Sequence, residues 1–277
     1  MSNLFSLIPK PRKKRRKIAT IRLYLTAGLL LILAIMTGPA AYRYAVAFYR
    51  SGFSFSAAEQ YHNLKNFGVP IPGGYKVHGI DVSHHQGRID WEEVDTMNVN
   101  GIYISFAFLK ATEGITRQDK QFERNWEKTK EAGILRGAYH FFHPSRDAAK
   151  QAENFIAKVK LEPGDLPPVL DIEVSNRRSK KEIVEGALEW CRHIEDHYKV
   201  KPIIYTSPGF YNKYLADDFE DYPLWIAHFY KETPRISHRK WHFWQHTDKA
   251  KINGIKGDVD MNVYTGSLSK LQRMCLE

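Results

Sequence analysis

Cysteine is nearly absent from this chain of 277 residues: there are two, Cys191 and Cys275, which form neither a disulfide framework nor a zinc knuckle, and the sequence leaves open whether they pair. Also missing are an H-E-x-x-H motif, a glycine-rich phosphate fingerprint and a G-x-S-x-G elbow, so zinc-protease, dinucleotide-binding and serine-hydrolase readings lose their main support. His84 and His85 adjoin, but neighbours on an extended chain point apart, and neither a metal nor another cofactor is expected. Acidic residues are missing from the first 50 positions, which hold ten of the 41 Lys and Arg; the rest balances at 31 bases against 31 acids. The net charge of +10 therefore belongs to the N-terminus. A nucleic-acid binder working through residues 10–17 is the reading this distribution disfavours, and no nucleic-acid partner is expected.

Long apolar runs are equally scarce, with one exception. LYLTAGLLLILAIMTGPAA, residues 23–41, carries no charge over 19 residues. At about 1.5 Å rise per residue it nearly spans a hydrocarbon core of about 30 Å. Eight bases from Lys10 to Arg22 precede it, and Arg43 and Arg50 follow, which places the N-terminus in the cytoplasm and the remainder outside the membrane. The expected organisation is a basic cytoplasmic segment (1–19), a transmembrane signal anchor (20–41), a stalk (42–75) and one exported domain (76–277). A cleaved signal peptide, with Ala45-Val46-Ala47 as its cleavage site, is the alternative. Either reading exports the domain, as a single-pass protein of the cytoplasmic membrane or as a released one.

In the exported part, strand-like runs recur: VHGIDVS, IYISFAF, RGAYHFF, PVLDIEV, KPIIYTS, PLWIAHF, WHFWQH and VDMNVY. Segments of helical character separate the early ones, at 117–132, 147–161 and 179–198, the last opening with Ser179 and Glu182 in a capping-box arrangement. Beyond IIYTS only residues 208–216 look helical. This pattern predicts an α/β fold, a modified TIM-like β/α barrel of about five β/α units followed by nearly helix-free strands. A doubly wound open sheet is the runner-up.

PPVLDIEV, residues 167–174, then poses a chemical question. Residues i and i+2 of a strand share a face, so Asp171 and Glu173 point together while Leu170, Ile172 and Val174 point the other way. In a barrel strand the apolar set packs on helices and the acids stand at the C-terminal mouth, where catalysis occurs. Two adjacent carboxylates can have their proton affinities driven apart, which supplies the proton donor and the negative group that glycoside hydrolysis needs. Two solvated surface acids are the bland reading. Asp81, late in the first strand, and Asp260, starting the last, would join them, since first and last strands of a closed barrel are neighbours; Asp258 competes with Asp260. Tyr139, Tyr205, Trp225 and Trp244 are candidate sugar-stacking rings, although such residues in strands also serve as core.

GIDVSHHQGRIDW (79–91), FAFLKATEG (106–114), GAYHFFHP (137–144), PPVLDIEV, PIIYTS (202–207), LWIAHF (224–229) and FWQHTDKAKINGIKGDVDMNVY (243–264) together resemble the glycoside hydrolase family 25 lysozymes in order and spacing. The resemblance implies an N-acetylmuramidase acting on peptidoglycan glycan strands, with Glu173 as acid/base and Asp171 as the partner that orients the substrate's own N-acetyl group. It also implies that Asp81 and Asp260 line the cleavage site, and that Tyr139 and Trp244 lie in the substrate groove. His246 stands where the family often has Tyr, and no wall-binding repeat accompanies the domain. The longer D-x-x-D-x-D-x-E motif of the related chitinases is absent. A catalytically silent, membrane-anchored glycan-binding module is the rival reading.

Overall fold

The computed structural model describes residues 62–277, except 64, 230, 232, 235, 237 and 238. The expected anchor at 20–41 and most of the stalk lie outside the described residues; among those described, no helix is long and apolar enough to cross a membrane.

Eight strands close into a barrel: β1 (Val77–Val82), β2 (Ile102–Glu113), β3 (Leu135–Phe141), β4 (Val169–Asp171), β5 (Ile203–Thr206), β6 (Leu224–Ala227), β7 (Phe243–Ala250) and β8 (Val259–Tyr264). From β1 to β7 neighbours run parallel, whereas β8 is antiparallel to both β7 and β1. That reversal decides the site, because the start of β8, not its end, meets the C-terminal ends of the other strands.

The early strands alternate with helices α1 (Trp91–Thr96), α2 (Phe122–Glu131), α3 (Ala148–Lys158) and α4 (Lys180–Tyr198), and a short helical stretch at 208–215 follows β5. Local chemistry sets their starts. Asp90 and Asp147 accept from first-turn N–H groups of α1 and α3, and Ser179 with Glu182 forms a full capping box on α4. α2 starts five residues later than its sequence pattern predicts, because Arg117–Gln118 fold back as a short antiparallel ladder on Thr112–Glu113. Residues Lys65–Tyr75, read from sequence as the end of a stalk, contribute to the domain: Phe67, Val69 and Ile71 are buried in its apolar core, and Phe67 O accepts from Lys251 N.

Two apolar layers result. Leu170, Ile172, Ile204 and Ile226 join Ile183, Trp190, Ile194 and Phe155 between strands and helices. Inside the barrel, Phe106, Phe108, Trp225, Phe243 and Tyr264 pack ring on ring, with Phe108 stacked on Trp225 at 4.6 Å between centroids. Gly79 and Gly137 make room for this plug: a Cβ on either would fall within about 2.6 Å of the Phe106 or Phe108 ring. Near the N-terminal end of β3, Arg136 donates from Nε to Asp165 Oδ1 (2.7 Å) and from Nη2 to Asp165 Oδ2 (3.0 Å), with its guanidinium over Trp126. The lower end of the interior is thus closed by rings, while the Arg136–Asp165 pair on the outward face of β3 ties the strand to α2.

Candidate active site

Above the plug, the inward faces turn polar. Asp81 and Asp260 are direct partners across β1 and β8, and Asp81 also aligns with Phe108 of β2. Asp171, the last residue of β4, aligns with Phe141 and Tyr205. Glu173 lies just past the ladder, exposed at the rim, while Leu170 and Ile172 are fully buried toward the helices. The two faces of PPVLDIEV therefore separate as the alternation predicts. Asp258 is exposed and paired with Lys251 (2.6 Å) and Lys249 (3.3 Å), so Asp260 is the one that joins Asp81.

Asp81 is held by four side chains from four strands. Gln245 Nε2 and Asn262 Nδ2 each donate to its Oδ2 at 2.8 Å; the Tyr205 hydroxyl donates to Gln245 Oε1 at 2.7 Å, and Trp225 Nε1 to Asn262 Oδ1 at 2.8 Å. Every member of this chain is buried, and each bond fixes an amide flip or a ring, so the aromatic plug orients the carboxylate above it. Gln245 and Asn262 were not among the sequence-predicted residues. Their faint signal is alternation: Gln245 lies two positions after the inward Phe243, and Asn262 two after Asp260.

All four acids have raised proton affinities. Burial pushes Asp81 up to about 6, with the Glu173 charge adding to it and the two amide bonds opposing it. Asp260 rises to about 8 through burial and then the charges of Asp81 and Asp248. Desolvation first, and the Glu173 charge second, lift Asp171 well above the ordinary range, and loss of solvation also raises Glu173. With Asp260 raised to about 8, the four acids are not all ionised near neutrality. Lys110 is the cation that pulls Asp171 and Glu173 back toward ionisation. It too went unrecognised in the sequence, although it is the inward residue two positions after Phe108. Asp171 Oδ1 is buried with no hydrogen-bond partner, a costly state that a donor on a bound molecule would relieve.

The rings distribute less simply. Tyr139 is part-buried on β3 and feels Asp81, Asp171 and Asp260. Tyr205 is buried in the hydrogen-bonded chain, and Trp225 is 2 % exposed inside the plug, so these two lie below the acids and support them. Trp244 departs from its expected groove position. Phe243 and Gln245 take the inner face of β7, which turns Trp244 outward, fully buried against Tyr75 and Trp241 with Nε1 donating to His228 O. His246 points the same way, buried and held neutral, its pKa pushed down to about 3 by burial, so its difference from the family's usual Tyr falls outside the groove. His84 and His85 also differ from expectation: they lie in a 3₁₀ turn after β1 with rings 4.1 Å apart, because a helical turn does not send neighbours to opposite faces. Among the described residues no group of three or more His, Cys, Asp or Glu is placed to hold a metal ion. Cys191 and Cys275 do not form a disulfide with each other.

The family model for glycosyl hydrolases family 25 matches residues 80–255, which span β1 to the β7–β8 turn and contain Asp81, Asp171 and Glu173. The chain belongs to glycosyl hydrolases family 25. Like that family it is a glycoside hydrolase. It is 45% identical over 212 residues to the uncharacterized protein YegX of Escherichia coli, covering 76% of this chain and 78% of that protein. It is 32% identical over 210 residues to Lysozyme M1 of Streptomyces globisporus, covering 70% of each. Among solved structures, a family 25 glycosyl hydrolase from Bacillus anthracis superposes with a TM-score of 0.68 at 31% identity, over 80% of this chain and 100% of that one. The bacterial lysozyme of Streptomyces coelicolor gives 0.67 at 31% identity, over 72% and 96%.

Proposed function

We propose that this family 25 hydrolase is a muramidase: it cleaves the β-1,4 bond between N-acetylmuramic acid and N-acetylglucosamine in peptidoglycan, with retention at the anomeric carbon. The observation that carries the reading is the unpartnered, buried Oδ1 of Asp171 two positions before Glu173, whose proton affinity is raised by burial. An N-acetyl sugar offers an amide N–H for that oxygen. With the N–H held, the acetamido carbonyl oxygen attacks C1 while Glu173 delivers its proton to the glycosidic oxygen, and the C1–O bond breaks. Asp171 supports the positive charge on the cyclised acetamido group until water adds to C1, breaking the bond to the acetamido oxygen and giving one proton to Glu173. Two displacements at C1 leave the configuration unchanged. Asp81 and Asp260, neighbours across β1 and β8, line the sugar's path, and Tyr139 offers a ring edge to it.

The location belongs to the same proposal. Residues 20–41 anchor the chain in the cytoplasmic membrane with the N-terminus inside, and the barrel works on the outer side, where peptidoglycan lies. Nuclear magnetic resonance on the first product tests the chemistry: the β anomer should appear before mutarotation, whereas an initial α anomer contradicts the mechanism. Asp171→Asn should lower kcat by about 10²–10³ on substrates that carry the N-acetyl group. Protease added to intact spheroplasts should digest the barrel and spare residues 1–19; protection of the barrel contradicts the topology.

A further inference from the structure

A second charged cavity lies at the end of β2, where Glu113 shares a row with Phe141 and Asp171. The turn after β1, the end of β2 and its fold-back at Arg117–Gln118 enclose about 230 Å³, with His84, Lys110, Glu113, Arg117, Asp119 and Lys120 on its walls. Its two acids are already committed. Glu113 accepts from Lys110 (2.8 Å) and Arg117 (2.7 Å), with His143 Nε2 at 3.4 Å. Asp119, with its side chain 1% exposed, takes His84 N and His84 Nδ1 at 2.8 Å each, and Gln121 N at 2.8 Å. That leaves His84 fixed with Nε2 as its remaining ring nitrogen, and three formal cations against two spent acids. A cavity of this make-up complements an anion, above all a carboxylate, which Arg and Lys bind by charge-assisted hydrogen bonds. Lys110 stands between the two sites: it pairs with Glu113 on one side and acts on the charges of Asp171 and Glu173 on the other.

We infer that this cavity binds a carboxylate carried on the muramic acid residue whose acetamido group meets Asp171, either the acid of its lactyl arm or an acid of the peptide attached to that arm. The inference rests on the muramidase reading. On that sugar the acetamido group is on C2 and the lactyl ether on C3, so a ring placed with its C2 substituent at Asp171 carries the C3 arm to an adjoining site. The cavity explains how a glycan with carboxylates on alternate sugars is told from one with none.

The test compares the full chain with the charge reversal Arg117→Glu/Lys120→Glu, and with a matched reversal at the opposite strand ends, Lys201→Glu/Lys270→Glu. Substrates are intact peptidoglycan strands, strands stripped of peptide so that bare lactyl carboxylates remain, and the stripped strands after carbodiimide amidation. KM on stripped strands should rise at least ten-fold for the first reversal and stay level for the second, and amidation should abolish that difference. An equal ten-fold rise on intact strands assigns the cavity to acids in either position, while a rise on intact strands alone assigns it to the peptide. If the first reversal fails to fold, Arg117→Ala/Lys120→Ala reads the same ordering. KM unchanged on both carboxylate-bearing substrates, or raised equally on amidated strands, overturns the inference while leaving the muramidase reading intact. Absence of muramic-acid ends from wild type overturns both.

Discussion

The two ends of the barrel interior are built from the same strands and face opposite problems. At the floor, rings interlock, and behind it, on the outward face of β3, the buried Arg136–Asp165 pair meets charge with charge against α2. At the mouth, the inward positions of those strands carry Asp81, Asp171 and Asp260, whose burial costs free energy that nothing in the described residues fully offsets. The floor stabilises the fold; the mouth spends part of that stability on carboxyl groups poised to exchange protons. A strained polar cluster resting on a saturated apolar one is how a rigid scaffold keeps a reactive site in place.

That contrast predicts opposite responses to substitution. At the mouth, Glu173→Gln should lower kcat by about 10²–10⁴, the usual worth of a general acid, without lowering Tm; a matching fall in Tm would make Glu173 structural. Behind the floor, Asp165→Ala strands the Arg136 charge and should cost about 3–5 kcal/mol in urea denaturation, against activity per folded molecule that stays level. Gly137→Ala drives a methyl into the Phe108 ring and should cost about 1–3 kcal/mol, with a Tm fall to match. One effect has the opposite sign. Because the folded-state pKa of Asp260 is raised from 3.8 to about 8, the folded protein binds this proton more tightly than the unfolded chain, and stability is lost as pH rises through that interval. Asp260→Asn removes the penalty, so it should match wild type near pH 4 and exceed it near pH 8. Equal stabilities at both values would place Asp260 in open solvent.

The floor and the mouth were not equally legible in the sequence. Alternation within one strand separates Asp171 from Leu170 and Ile172, because that depends only on neighbours in the chain. Asp260 was legible as the acid opening the last strand, yet its place beside Asp81 depends on β8 running antiparallel, which the loop-rich gaps around it do not encode. Gln245 and Asn262 reach Asp81 from more than 160 positions away, and no local pattern marks them. The Lys110–Arg117 cavity exists only because Arg117–Gln118 fold back onto β2, in a segment whose charged pattern looks helical. Trp244 was misplaced by its motif, although the period of two, counted from Phe243 and Gln245, turns it outward.

The central claim is that the acids at the mouth cut peptidoglycan on the reducing side of muramic acid through Glu173. Its most direct test is to digest purified peptidoglycan with the full chain in detergent, wild type beside Glu173→Gln, reduce the products with borohydride and identify the new ends by mass spectrometry. New reduced muramic-acid ends from wild type alone are the predicted result; reduced glucosamine ends, or muramic-acid ends from both proteins alike, would contradict it.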